Sequence, residues 1–170
     1  MFSRKNKNSK KVMLVMNDFL VGGVQKLAVD QMTLLQKDFD FVLVVLMQFP
    51  KGDFYHRIPD GIPVYKLHFK SFFDIRSLIQ LIKILIKEKP LIVKTAMFLS
   101  NTILRLLKPF FGFVVITAEH NTETKRPFSH RCINRLLSKI TYTIIADSIT
   151  VADHVSKIEK ISRDKFTVVY

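Results

Sequence analysis

Two glycines and one histidine are the residues of this sequence best placed to do chemistry. Gly22 and Gly23, two of five glycines in the chain, follow the apolar run Val12-Met13-Leu14-Val15-Met16 and precede a helix-like segment, Val24 to Gln36. A glycine pair between a strand and a helix lets backbone N–H groups meet an anion. The same pair can also simply make a tight turn. A third glycine in the dinucleotide-binding spacing is missing, and no Walker lysine follows, so NAD binding and P-loop NTP hydrolysis are both disfavoured. His120 lies between Glu119 and Asn121, the densest polar cluster in the chain. An imidazole just beyond the end of a buried strand can hydrogen-bond a ligand or carry a proton. Glu119 could orient His120, but solvent or a local hydrogen bond is the expected partner.

A basic set lies further on. Arg131, Arg135 and Lys139 recur every four residues and so share one helix face, with Lys125 and Arg126 just before them and no acid between Lys125 and Lys139. Such a face is either solvated surface or a contact for phosphate or anionic lipid. His56, His68, His120, His130 and His154 are scattered without metal-ligand spacing, so no metal is expected. No nucleophile-elbow pattern supports Ser/His/Asp catalysis.

Short apolar runs alternating with helix-period segments must position these groups. Strands are expected at Lys11–Asn17, Phe39–Gln48, Pro63–Phe69, Leu91–Thr95, Phe113–Ala118, Tyr142–Asp147 and Lys165–Tyr170. Several are continuous aliphatic runs, which implies burial on both faces and hence a parallel sheet covered by helices. Between them, Asp74–Glu88 predicts a helix with Ile75, Leu78, Ile79, Ile82, Leu85 and Ile86 as its apolar face, widened by Leu81 and Ile84. Pro127–Ile140 predicts another, with Phe128, Cys132, Ile133, Leu136, Leu137 and Ile140 facing the core and Cys132 a buried thiol. Further helices are expected at Leu99–Lys108 and Thr150–Lys160. The order describes an α/β, doubly wound, mostly parallel sheet, a single Rossmann-like domain from residue 11 to 170 behind a basic flexible tail at 1–10. Ligands of such sheets bind beyond the carboxyl ends of the strands. That rim gathers the glycine pair, Thr95 and the Glu119-His120-Asn121 cluster.

Composition bounds the partners. The 170 residues carry a net charge of +13 and are 48% hydrophobic, which favours a folded, basic domain. The single cysteine excludes an internal disulfide. The early apolar run is interrupted by Asn17 and Asp18, and no uninterrupted span reaches membrane length, so a cytoplasmic chain is expected. The aromatics lie in core runs and no nucleic-acid-binding motif is present, so nucleic acid is not an expected partner.

From about Lys11 to Tyr170 the chain resembles the N-terminal half of the retaining, GT-B-fold glycosyltransferases of family 4. The resemblance rests on Gly22-Gly23-Val24-Gln25-Lys26-Leu27-Ala28, on Pro90-Leu91-Ile92-Val93-Lys94-Thr95, on Val114-Val115-Ile116-Thr117-Ala118-Glu119-His120-Asn121 and on Ile144-Ile145-Ala146-Asp147-Ser148-Ile149-Thr150-Val151-Ala152-Asp153, in that order. It implies an acceptor-binding domain that works with a nucleotide-sugar domain absent from this sequence. It further implies transfer of a sugar from a nucleotide-sugar to a glycan or lipid-linked acceptor with retention, as in polysaccharide biosynthesis, without metal or other cofactor. By the same resemblance the glycine loop lies near the donor diphosphate and His120, as catalytic residue, near the transferred sugar. Gly22, Gly23, Thr95, Glu119 and Asn121 then contact substrate. Lys94 stands where many relatives carry histidine. The isolated chain is expected to be inactive. The alternative is a non-catalytic membrane-associated scaffold or a split transferase subunit, peripheral on the inner membrane face and contacting anionic lipid through Lys125, Arg126, Arg131, Arg135 and Lys139.

Overall fold

The computed structural model describes residues 10–49, 54–120 and 126–170. The elements follow in the order β1 (Lys10–Met16), α1 (Gly23–Leu35), β2 (Phe39–Val45), β3 (Val64–Lys66), α2 (Ile75–Glu88), β4 (Ile92–Ala96), α3 (Phe98–Phe111), β5 (Val114–Glu119), α4 (Phe128–Ser138), β6 (Thr143–Ala146), α5 (Ile149–Glu159) and β7 (Phe166–Val168). The strands form one seven-stranded sheet in the order β3-β2-β1-β4-β5-β6-β7, with every neighbouring pair parallel. The sheet is wholly parallel, stricter than the mostly parallel expectation.

The register explains why the aliphatic runs are continuous. Met13, Val15, Val42 and Val44 pack into one layer with Leu81, Ile84 and Leu85 of α2 and Ile103 and Leu104 of α3. The intervening Val12, Leu14, Met16, Phe41, Leu43 and Val45 pack into a second layer with Ala28, Val29 and Met32 of α1. Successive side chains on a strand point to opposite faces, and here both faces are covered. Ile144 and Ala146 of β6 pack on Val151, Ala152 and Val155 of α5.

Helix ends follow local chemistry. Asp74 caps α2 by accepting from the Ser77 N–H (3.1 Å), and Ser148 caps α5 by accepting from the Val151 N–H (3.1 Å). The backbone hydrogen bonds to Asp74 hold its carboxyl below the usual carboxylate range. Helix α3 runs past the expected Lys108, through Pro109, and stops at Gly112, whose φ of 71° is the left-handed conformation glycine favours.

Two helix faces differ from expectation. In α2 the core side is Ser77, Leu81, Ile84, Leu85 and Glu88, whereas Ile75, Ile79 and Ile86 are exposed. In α4 the buried residues are Asn134, Leu137 and Ser138, whereas Phe128 and Leu136 are exposed and Cys132 is an exposed thiol. A polar network beneath α4, described below, draws Asn134 inward and so fixes the helix rotation.

Candidate active site at the carboxyl end of the sheet

Strand order reverses between β1 and β4. The crevice beyond the strand ends at such a switch point is where ligands bind in open α/β sheets. Asn17, just past β1, accepts from the Ser100 N–H of α3 (2.9 Å), which ties the rim of β1 to the start of α3. Met97, the residue before α3, holds φ 78° and ψ 155°, a conformation that costs a non-glycine residue about 1–3 kcal/mol. It lines a cavity of about 340 Å³ with Val24, Phe98, Glu119, His120, His130 and Asn134.

The glycine pair opens α1 without a positive φ at either residue. Gly22 is extended (φ −167°), offers no side-chain cap, and no acid occupies the first turn. A Cβ on Gly22 would meet Gln25 Oε1 at 2.6 Å, whereas one on Gly23 would meet nothing within 4 Å. The turn therefore does not demand glycine at position 23, and open space lies over its backbone. Gln25, buried, donates to Asp18 (2.9 Å) and braces the loop.

His120 projects on the α1 side of the sheet. Its Nδ1 lies 2.8 and 2.9 Å from the two carboxylate oxygens of Asp147, the residue after β6. An ionised carboxylate only accepts, so Nδ1–H is the donor and Nε2 is left for a ligand. Lys94 of β4 is on the same face, donating to Gln31 Oε1 (2.8 Å). Burial pushes its ammonium pKa down to about 8, with Asp147 acting against that shift. Lys94, Gln31, His120 and Asp147 line a groove of about 710 Å³ with Gly23 and Lys26. Lys94, Lys26 with its partner Asp30 (3.7 Å), the His120–Asp147 pair and the start of α1 thus line one open volume.

Glu119 points to the opposite face, as strand alternation requires, and so does not orient His120. Its buried carboxylate accepts from Arg126 Nη2 (2.7 Å), the local bond rather than solvent. Arg126 Nη1 donates to Glu159 (2.8 Å), which also accepts from Asn134 (2.8 Å); Asn134 in turn accepts from buried Arg105 (3.2 Å). Burial lowers the pKa of Arg105 to about 10, against the attraction of Glu119 and Glu159. Burial opposes the charge of Arg126 too, but Glu119 and Glu159 more than offset it and raise its pKa. Burial raises the carboxyl of Glu159, with the Asn134 and Arg126 hydrogen bonds opposing.

The structure thus brings Gly23 and His120 to one groove. Thr95 turns away: it is buried and donates to Asn101 Oδ1 (2.7 Å). Arg126 faces inward, Arg131 is half-buried, and Arg135 and Lys139 are exposed. Asn121, Lys125 and residues 1–9 of the basic tail lie outside the described residues. Sequence reasoning missed Asp147 and Gln31. Asp147 follows β6 as His120 follows β5, but only the pairing of those two strands brings them together. Among the described residues no group of three or more His, Cys, Asp or Glu is placed to hold a metal ion, and no helix is long and apolar enough to cross a membrane.

The sequence matches no family model and no curated protein. The fold is similar to solved structures. Anabaena Alr3699/HepE in complex with UDP superposes with a TM-score of 0.74 at 9% identity, over 94% of this chain and 43% of that one. A glycosyltransferase from Rickettsia africae gives 0.73 at 19% identity, over 95% and 43%. The UDP-GlcNAc 2-epimerase of Methanocaldococcus jannaschii gives 0.68 at 20% identity, over 94% and 45%. The chain spans under half the length of each, and has the Rossmann-like α/β fold of their half-domains.

Proposed function

We propose that this chain is the N-terminal, acceptor-side domain of a GT-B glycosyltransferase that moves a sugar from a nucleotide-sugar to a glycan or lipid-linked acceptor, with retention, beside a second domain that selects the donor. One observation carries the reading: the uncapped start of α1, open over Gly23, faces the same groove as the carboxylate-held His120. In the reaction, backbone N–H groups at Gly23 and Val24 would stabilise charge developing on the leaving diphosphate, a task that needs fixed dipoles and no metal. His120 Nε2 would accept a hydrogen bond from a hydroxyl of the transferred sugar. Lys94, a cation below about pH 8, adds positive potential to the groove. The likeness to UDP-binding and UDP-sugar enzymes supports a nucleotide-sugar as the ligand class. We place the domain peripherally on the inner membrane face.

Gly23→Ala tests this reading. Gly23 is the first residue of α1 and a Cβ there meets nothing, so alanine should stabilise the fold by about 0.5–1 kcal/mol. In the complete enzyme the added methyl should obstruct the diphosphate and lower kcat/KM for the nucleotide-sugar. A lowered thermal midpoint with unchanged transfer would return the glycine to a turn-making role.

The His120–Asp147 pair favours one second reading. A carboxylate-held imidazole can take a proton from the attacking acceptor hydroxyl as a general base. Transfer would then proceed with inversion, and the anomeric configuration of the product by NMR separates the two.

A further inference from the structure

The outward side of α2 is an apolar stripe beside a basic one. Phe72, Ile75, Ile79 and Ile86 are all exposed, with Ile82 half-buried among them, and their spacing of three, four, three and four residues keeps them on a single face. Phe73, at the head of the helix, is 90% exposed. Arg76 and Lys83 project next to this stripe, exposed and without an ion pair among the described residues. The core side of the helix, Ser77, Leu81, Ile84, Leu85 and Glu88, is turned away. The only acid in the helix, Glu88, is buried and paired with Lys11 (2.9 Å). The solvent side of α2 thus presents apolar and cationic groups and Gln80, while the carboxylate of Asp74, at the head of the helix, is held by the Ser77 and Lys70 N–H groups.

We infer that α2 lies on an anionic membrane surface, with Phe73, Ile75, Ile79 and Ile86 entering the headgroup–acyl boundary while Arg76 and Lys83 meet lipid phosphates. An exposed apolar stripe flanked by cations is the pattern of a helix that lies in the interface plane, and each basic side chain adds attraction to anionic lipid. A second copy of the chain is a poorer occupant, because a two-fold contact on this face brings the cations Arg76 and Lys83 of one copy toward those of the other with no exposed acid on the helix to pair them. The location fits an amphiphilic acceptor. Phe72 packs edge-on against Phe98 (5.7 Å between centroids), and Phe98 stacks on His130 (3.6 Å). Phe98 and His130 both line the 340 Å³ cavity that His120 shares. An aromatic path therefore joins the head of α2 to the site. This inference deepens the membrane part of the proposed function and is independent of its chemistry.

Flotation of the 170-residue chain with vesicles of phosphatidylglycerol and phosphatidylcholine, against phosphatidylcholine alone, tests it. The wild-type chain should float with the anionic vesicles, less so at high salt. Phe73→Ser/Ile79→Ser and, separately, Arg76→Glu/Lys83→Glu should each lower the bound fraction by about tenfold or more. Arg135→Glu/Lys139→Glu on α4 should change it little. All these positions are exposed, so circular dichroism should show intact folding. Absence of wild-type binding, or binding lost through the α4 pair but not the α2 pairs, would overturn the inference. So would binding untouched by any of them, which assigns it to the basic tail. A dimer in solution that the α2 variants dissolve would assign the face to a second copy instead. In the complete enzyme, sugar transfer to a water-soluble acceptor should survive the α2 substitutions, which separates failure of this inference from failure of the proposed chemistry.

Discussion

Glu119 and His120 are consecutive residues with opposite surroundings. Glu119 turns beneath α4 and α5 into a buried network in which two arginines, Arg105 and Arg126, are balanced by two carboxylates, Glu119 and Glu159, with Asn134 between them. His120 turns toward the groove beside α1, where Asp147 holds Nδ1 and nothing in the described chain occupies Nε2. Strand alternation alone makes this division. The buried cluster pairs its carboxylates with its own arginines and Asn134, leaving Arg105 Nε without a partner, and holds α4 and α5 on the sheet. The open cluster keeps donors and acceptors for a ligand. Polar density in a sequence therefore marks both kinds of site, and the side of the strand distinguishes them.

Substitutions should divide along the same line. Glu159→Ala leaves the buried guanidinium of Arg105 and that of Arg126 facing a single carboxylate. Breaking a buried pair in this way costs about 3–5 kcal/mol, and chemical denaturation should show the loss. On the open side Lys94→Met should act in reverse. The native ammonium releases its proton at about 8 and the unfolded one at 10.5. Below pH 8 both states are charged and the native state bears the cost of burial. Between these pH values the unfolded chain holds more protons, so stability rises with pH. Lys94→Met should therefore stabilise the domain by about 1–3 kcal/mol at neutral pH. That gain should shrink to nothing as pH climbs to 10.5, as denaturation at several pH values would show. Asp147→Asn should be the mildest change to the fold, within about 0.5 kcal/mol at this exposed position. Its effect should appear as roughly tenfold slower transfer, because an amide no longer fixes Nδ1–H as the donor and Nε2 as the free acceptor of His120.

The fold was legible because strand runs such as Val42-Leu43-Val44-Val45 are too uniformly aliphatic to face water on either side, and both sides are covered. The helix rotations were not legible. In α2, Leu81, Ile84 and Leu85 compete with Ile75, Ile79 and Ile86 at equal helical spacing, and only the neighbouring sheet decides which set is inside. In α4 the decision belongs to Asn134 and its partner Glu159, which lie 25 residues apart in sequence. Of the candidate site, the glycine pair and His120 were legible as punctuation at strand ends. Asp147 was not, because its role depends on β5 and β6 being neighbours, a tertiary fact. Arg126 reads as one more surface cation until Glu119 and Glu159 are seen on either side of it.

The central claim is that the open cluster, not the buried one, carries the chemistry. It is tested most directly by His120→Ala, with the thermal midpoint and kcat/KM for sugar transfer measured on the same preparation of the complete enzyme. The account predicts a nearly unchanged midpoint and a loss of about 100-fold or more in kcat/KM. Transfer at the wild-type rate would contradict it.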